Sequence, residues 1–145
     1  MFKHILLPTD GSPLSENAML QCLQFAKETG AKVTSVHVIP DFHMYNLSAE
    51  LVATSRDQYE EDFAKHADHY LSKVSSAAQE IGVPCETSVL HNDHPYEAII
   101  SAAEQKDCDL IAMATHGKKG LKGLLVGSET QKVLTYSQIP VLVFH

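Results

Sequence analysis

From Ala114 to Thr130 the chain reads Ala-Thr-His-Gly-Lys-Lys-Gly-Leu-Lys-Gly-Leu-Leu-Val-Gly-Ser-Glu-Thr, directly after the apolar run Leu110-Ile111-Ala112-Met113. The glycines leave backbone amides open, Lys118, Lys119 and Lys122 add positive charge, and Gly127-Ser128 starts a helix expected to run to about Ser137. Free amides, ammonium groups and a helix amino terminus close together are what an anion needs, above all a di- or triphosphate. The register matches neither common phosphate loop. A Walker A loop from Gly117 requires glycine at position 122, where Lys122 stands. Gly117, Gly120 and Gly123 are spaced Gly-x2-Gly-x2-Gly and follow the fourth strand, unlike a dinucleotide fingerprint. Taken alone, the segment is equally a flexible connection.

Other residues with chemistry to offer are fewer. Pro8-Thr9-Asp10 ends the first apolar run, and Asp10 either stabilises a turn before Gly11 or faces a ligand. His116, beside a bound triphosphate, has the chemistry of an acid or base. No Asp or Glu follows to orient it, so a positioning or loop-structuring role is the plainer reading. His66 with His69, and His91 with His94, are spaced to touch a metal, but no matching pair elsewhere completes a site, and both read as surface pairs. Asp57, Glu60, Glu61 and Asp62 read as the solvated face of a long helix. Leu121, Leu124, Leu125 and Val126 form a helical turn over the site or reach a partner.

The elements that must position these groups alternate regularly. Ile5-Leu6-Leu7 is a strand, and Ser12-Pro13 starts a helix that ends at Gly30. Val33 to Ile39 is a second strand. A long helical pattern, continuous or broken, runs from Ala49 to Ile81 and stops at Gly82-Val83-Pro84. Cys85 to His91 is a third strand, Asn92-Asp93-His94-Pro95 caps a helix, Asp109 to Met113 is a fourth strand and Pro140 to Phe144 a fifth. Such alternation predicts an α/β fold, a parallel sheet with helices on both faces, in one domain spanning residues 1–145. Ligands of such sheets sit at the carboxyl ends of the strands where strand order reverses, which puts Pro8-Thr9-Asp10 and Met113 to Gly117 on one rim.

Composition fits this frame. With 44% hydrophobic and 20% charged residues the chain reads as an ordinary globular protein, and a net charge of −7 argues against a general nucleic-acid binder. Cys22, Cys85 and Cys108 are odd in number and set among apolar residues, as in reduced core thiols. No leader pattern or membrane-length apolar run is present, and a cytoplasmic location is expected.

The register Ala114-x2-Gly117-x9-Gly127-Ser128, with Pro8-Thr9-Asp10 after strand one and Val36-His37-Val38-Ile39 as strand two, resembles the universal stress protein family over the whole chain. The resemblance implies a Rossmann-like five-stranded sheet of order 3-2-1-4-5. It also implies the branch that binds ATP, whose motif is Gly-x2-Gly-x9-Gly-Ser/Thr; here Ala114 replaces the first glycine, and a left-handed backbone or very close contact there would be penalised. By resemblance Pro8 and Thr9 line the adenine through packing and backbone atoms, Asp10 meets the ribose, and Val38 reads the adenine edge with its main chain. Met113 and Ala114 form the floor, Gly117 turns amides towards the phosphates, and His116 positions the loop. Gly127, Ser128, Glu129 and Thr130 hold the outer phosphates with their amides and the two hydroxyls, while Mg²⁺ bridges the phosphates with few protein ligands.

An efficient ATPase needs a water-positioning group, for which Glu129 is the one candidate, and it sits where it can point away. A nucleotide-dependent regulator is therefore the first reading. The alternatives are a nucleotide-free dimeric stress protein acting through protein contacts, and a slow ATPase. The last strand, Pro140 to Phe144, has no helix after it to cover its edge. The family resemblance implies that this edge pairs with its copy in a homodimer.

Overall fold

The computed structural model describes residues 1–41, 49–115 and 127–145, without the side chains of 49–57. The elements in chain order are β1 (His4–Pro8), α1 (Pro13–Thr29), β2 (Lys32–Ile39), α2 (Ala49–Ile81), β3 (Cys85–His91), α3 (Pro95–Gln105), β4 (Leu110–Ala114), α4 (Ser128–Tyr136) and β5 (Val141–Phe144). The sheet order is β3-β2-β1-β4-β5, with every pairing parallel. The expected α/β architecture is the one observed. The long helical pattern forms one helix of 33 residues.

Alternation along the strands sorts side chains onto two faces. Ile5, Leu7 and Val33 join Met19, Cys22, Leu23, Ala26, Val74 and Ala78 on the α1/α2 side. Leu6, Val36 and Ile111 join Ile99, Ala102, Ala103 and Val133 on the α3/α4 side. Being buried on both faces is why β1 and β4 read as continuous apolar runs instead of alternating ones. Helix α1 starts with Ser12, whose side chain accepts from Ser15 N, and Pro13, and it ends on Gly30 in the left-handed region.

The rim at the amino ends of the strands is closed by Asp109, which the sequence shows only as a strand start. Its Oδ1 and Oδ2 accept from Lys3 N (3.1 and 2.9 Å), and Oδ1 also accepts from His4 N (3.0 Å). Desolvation alone would raise this carboxyl, but the amides outweigh it and hold it below the usual carboxylate range. Beside it, buried His4 shares a 2.7 Å hydrogen bond with Thr34 Oγ1, and burial followed by the Lys32 charge lowers its pKa.

All three cysteines are free. Burial pushes the Cys22 thiol up to about 12 and that of Cys108 to about 11, so both are inert near neutrality. Cys85 departs from the expectation of a core thiol, since it opens β3 at the sheet edge and is half-buried. Among the described residues no helix is long and apolar enough to cross a membrane, and no three His, Cys, Asp or Glu side chains group to hold a metal ion.

Candidate functional site

Strand order reverses between β1 and its neighbours β2 and β4, and there a cavity of about 220 Å³ opens at the carboxyl rim. It is lined by Pro8 of β1 and Thr9 and Asp10 just after it, Val38 from β2, Met113 and Ala114 from β4, and Gly127 to Thr130 at the start of α4. Leu14, Pro95 and Ile99 also line it; the sequence reading placed them in helices without assigning them to the site. Thr115 and Gly127 are wall residues too. His116 and Gly117, with Lys118, Lys119, Lys122 and Leu121 to Val126, lie outside the described residues.

The two ends of the cavity differ in what they offer. On the β2 side, β1–β2 pairing ends at Pro8 opposite Val36, and Thr9 N donates to Val36 O at 2.9 Å. Amide and carbonyl of a strand residue share an edge and alternate with a period of two, so those of Val38 face the side from which β1 has turned away. On the α4 side, Gly127 occupies the cap position with no side-chain hydrogen bond to the first turn. Ser128 is the first helical residue, not the cap. Among the described residues no side chain caps the leading amides of α4, which carry the positive end of the helix dipole.

Hydrogen bonds redistribute several expected roles. Thr9 has every polar group committed within the protein: its N–H to Val36 O, its carbonyl to His37 Nδ1–H (2.7 Å) and its hydroxyl to Ser15 Oγ (2.9 Å). It lines the cavity with its N–H already engaged and one lone pair of its carbonyl taken by His37. Asp10 Oδ1 accepts from Ser12 N at 2.9 Å, so the turn-stabilising reading holds for one oxygen, while Oδ2 has no partner among the described residues. Thr130 is buried and its hydroxyl donates to Ala114 O at 3.0 Å, so its proton stitches α4 to the end of β4 instead of serving an anion.

Glu129 points away. Its Oε2 accepts from Tyr96 N at 3.0 Å and its Oε1 pairs with Lys132 Nζ at 3.3 Å. Helix α3 has His94 at its cap position with no side-chain cap of its own, so α4 supplies one from 33 residues along the chain. Ala114 carries no left-handed strain, because positive φ among the described residues is confined to Gly11, Gly30, Gly82 and Asp107. The feared backbone penalty at that position is absent. His66 and His69 are exposed and pack against the Tyr70 ring.

A larger hollow of about 800 Å³ lies between α2 and the β2–β3 side, lined among others by Tyr59, Phe63, Asp41, Glu60 and Asp68. Three carboxylates and no described lysine or arginine in its wall make it hostile to phosphate. The smaller cavity, with its helix amides, is where anion chemistry belongs.

The universal stress protein family model matches residues 1–145. This chain belongs to that family. It is 36% identical over 143 residues to a universal stress protein of Methanocaldococcus jannaschii, covering 99% of this chain and 82% of that protein. The solved structure of another Methanocaldococcus jannaschii universal stress protein superposes with a TM-score of 0.80 at 29% identity, covering 99% of this chain and 95% of that one. A universal stress protein of Archaeoglobus fulgidus, solved in complex with dAMP, shares the fold with a TM-score of 0.70 at 18% identity, covering 100% and 98%. As a universal stress protein the chain keeps Gly127 and Ser128 of the expected motif at the cavity mouth, with Ala114 as its one departure.

Proposed function

We propose that this universal stress protein binds an adenine nucleotide, ATP in the first instance, in the 220 Å³ cavity and acts as a nucleotide-dependent regulatory module of the stress response. The observation that carries the reading is the start of α4, uncapped among the described residues: Ser128, Glu129 and Thr130 line a cavity whose far wall includes Val38, beyond the end of the β1–β2 pairing. Val38 N–H and C=O would read the adenine edge against Pro8 and Thr9. Asp10 Oδ2 would accept from a ribose hydroxyl, Met113 and Ala114 would floor the sugar, and the α4 amides with the Ser128 hydroxyl would hold the phosphates. Gly117 and His116 keep their proposed roles of turning amides to the phosphates and positioning the loop. The dAMP complex of the Archaeoglobus relative supports an adenine nucleotide as the ligand class.

Mg²⁺ would ride on the phosphates and water, since one oxygen of Asp10 and both of Glu129 are already engaged. With Glu129 committed to Tyr96 and Lys132, the carboxylate at the start of α4 is not free to orient an attacking water, which favours a regulator over an ATPase. The protein would work as a homodimer joined through β5, in the cytoplasm, where free thiols stay reduced. The test is to denature freshly purified protein and identify any released nucleotide by chromatography and mass spectrometry. Adenine nucleotide near one per chain is expected. Empty protein that also shows no thermal shift with Mg-ATP would sink the reading and leave a nucleotide-free dimer acting through protein contacts.

A further inference from the structure

Helix α2 lies on the opposite face of the sheet from α3 and α4, yet one of its side chains reaches the cavity's β1–α1 loop. Gly11, in the left-handed region at φ +76°, rests on the Tyr70 ring so closely that a Cβ at that position would fall inside it. The void left between Thr9, Gly11, Met19 and Tyr70 is only about 10 Å³, at the lower limit for a single water. The edge of Tyr70 also meets the His37 ring, with centroids 5.4 Å apart at 64°. His37, almost fully buried, points its Nδ1–H at the Thr9 carbonyl, 2.7 Å away. Since that carbonyl accepts, Nδ1 must carry the proton, and the ring is held in one orientation by Tyr70.

The loop is thereby fixed from both sides. The sheet takes Thr9 N–H through Val36 O and so holds the peptide before Thr9; the peptide after it is held at its C=O by His37 (2.7 Å) and, over a longer 3.4 Å, at Asp10 N–H by Ser15 Oγ. The plane of this second peptide sets where Asp10 leaves the strand, and the Asp10 side chain is then held by Ser12 N. We infer that His37, braced by Tyr70, is a positioning residue for nucleotide binding: it locks the Thr9–Asp10 peptide so that Asp10 Oδ2 faces the cavity. The inference rests on the nucleotide reading above. It adds a residue that borders the cavity and acts on Asp10 through the Thr9 carbonyl, and makes α2 a support of a site on the other face of the sheet.

The test uses two substitutions that keep comparable bulk. His37→Phe retains a ring against Tyr70 and removes the donor; His37→Asn places an amide donor at the same branch of the side chain. Two measurements are made on wild type and both variants: hydrogen exchange at the Asp10, Gly11 and Ser12 amides without ligand, and Mg-ATP affinity by calorimetry. His37→Phe is expected to speed exchange at these amides and to weaken Mg-ATP each by about five- to tenfold, the effect of one lost hydrogen bond. His37→Asn is expected to stay within about threefold of wild type on both, because the donor is kept. Unchanged exchange in His37→Phe overturns the lock whether or not nucleotide binds. Faster exchange with unchanged affinity overturns the role in binding and leaves a purely local brace. His37→Asn behaving like His37→Phe would assign the effect to ring packing instead of the donor. Wild-type protein that binds no Mg-ATP, with fast exchange in His37→Phe, removes the nucleotide reading and the positioning role together while the lock itself stands.

Discussion

Two groups at the amino rim of the sheet make the stability of the chain depend on pH in a defined direction. His4 is buried beside Thr34 with a lowered pKa, so the folded state resists a proton that the unfolded chain accepts near its ordinary value of 6.5. Below that value the unfolded state binds more protons, and stability must therefore rise with pH through the window from the lowered folded pKa up to about 6.5, then level off. Urea midpoints measured between about pH 5 and pH 8 are expected to show this slope, and His4→Gln to flatten it. Asp109 acts lower: its stabilisation is complete above the unfolded carboxylate value of 3.8 and is lost as pH falls below it. Glycines give a second single-residue comparison. Gly30 has a left-handed backbone but nothing within 4 Å of where a Cβ would sit, so Gly30→Ala is expected to lower stability by about 1 kcal/mol. Gly11 has the same backbone with the Tyr70 ring in the way, and Gly11→Ala is expected to cost more than Gly30→Ala in the same denaturant titration.

Among the elements, α3 and α4 start side by side at the site rim, and Glu129 of α4 caps α3. Removing the Glu129 carboxylate leaves Tyr96 N–H unsatisfied at the start of α3, so Glu129→Ala is expected to lose about 1 kcal/mol by chemical denaturation, whereas Glu129→Gln, still able to accept, loses only a few tenths. This cap also marks how far the sequence could be read. Strand runs such as Ile5-Leu6-Leu7, the Ser12-Pro13 start and the Gly30 stop are local signals, and they yielded the element order with boundaries off by a residue or two. Asp10 and Ala114 followed from where β1 and β4 end, whereas Val38 and the role of Ser128 came only through the family resemblance. What spacing could not show is where a side chain goes once distant elements meet. Glu129 turns to a helix 33 residues earlier, Thr130 donates to Ala114, and His37 reaches back to Thr9 across 28 residues. Each depends on tertiary neighbours that no local pattern names. The same is true of Asp109, whose two partners lie more than 100 residues away at the start of the chain.

For the molecule as a whole, the open edge of β5 is the feature that bears on assembly. Ile111 N donates to Pro140 O and Thr115 N to Phe144 O, so positions 140, 142 and 144 face β4, while Val141 and Val143 direct their amides outward. Val143→Pro removes one outward donor without touching the β4 ladder. If β5 pairs with its copy, wild type sediments as a dimer at micromolar concentration, and Val143→Pro shifts to monomer with little change in unfolding temperature. Wild type sedimenting as a monomer would remove the dimer from the proposal. The clasp formed by Asp109 lies at the other end of the same strands, a full strand length from the cavity. Drift in sequence at one rim is thus mechanically insulated from the other. A lineage could retune the temperature at which this protein survives through Lys3, His4 and Asp109, and leave what it recognises untouched.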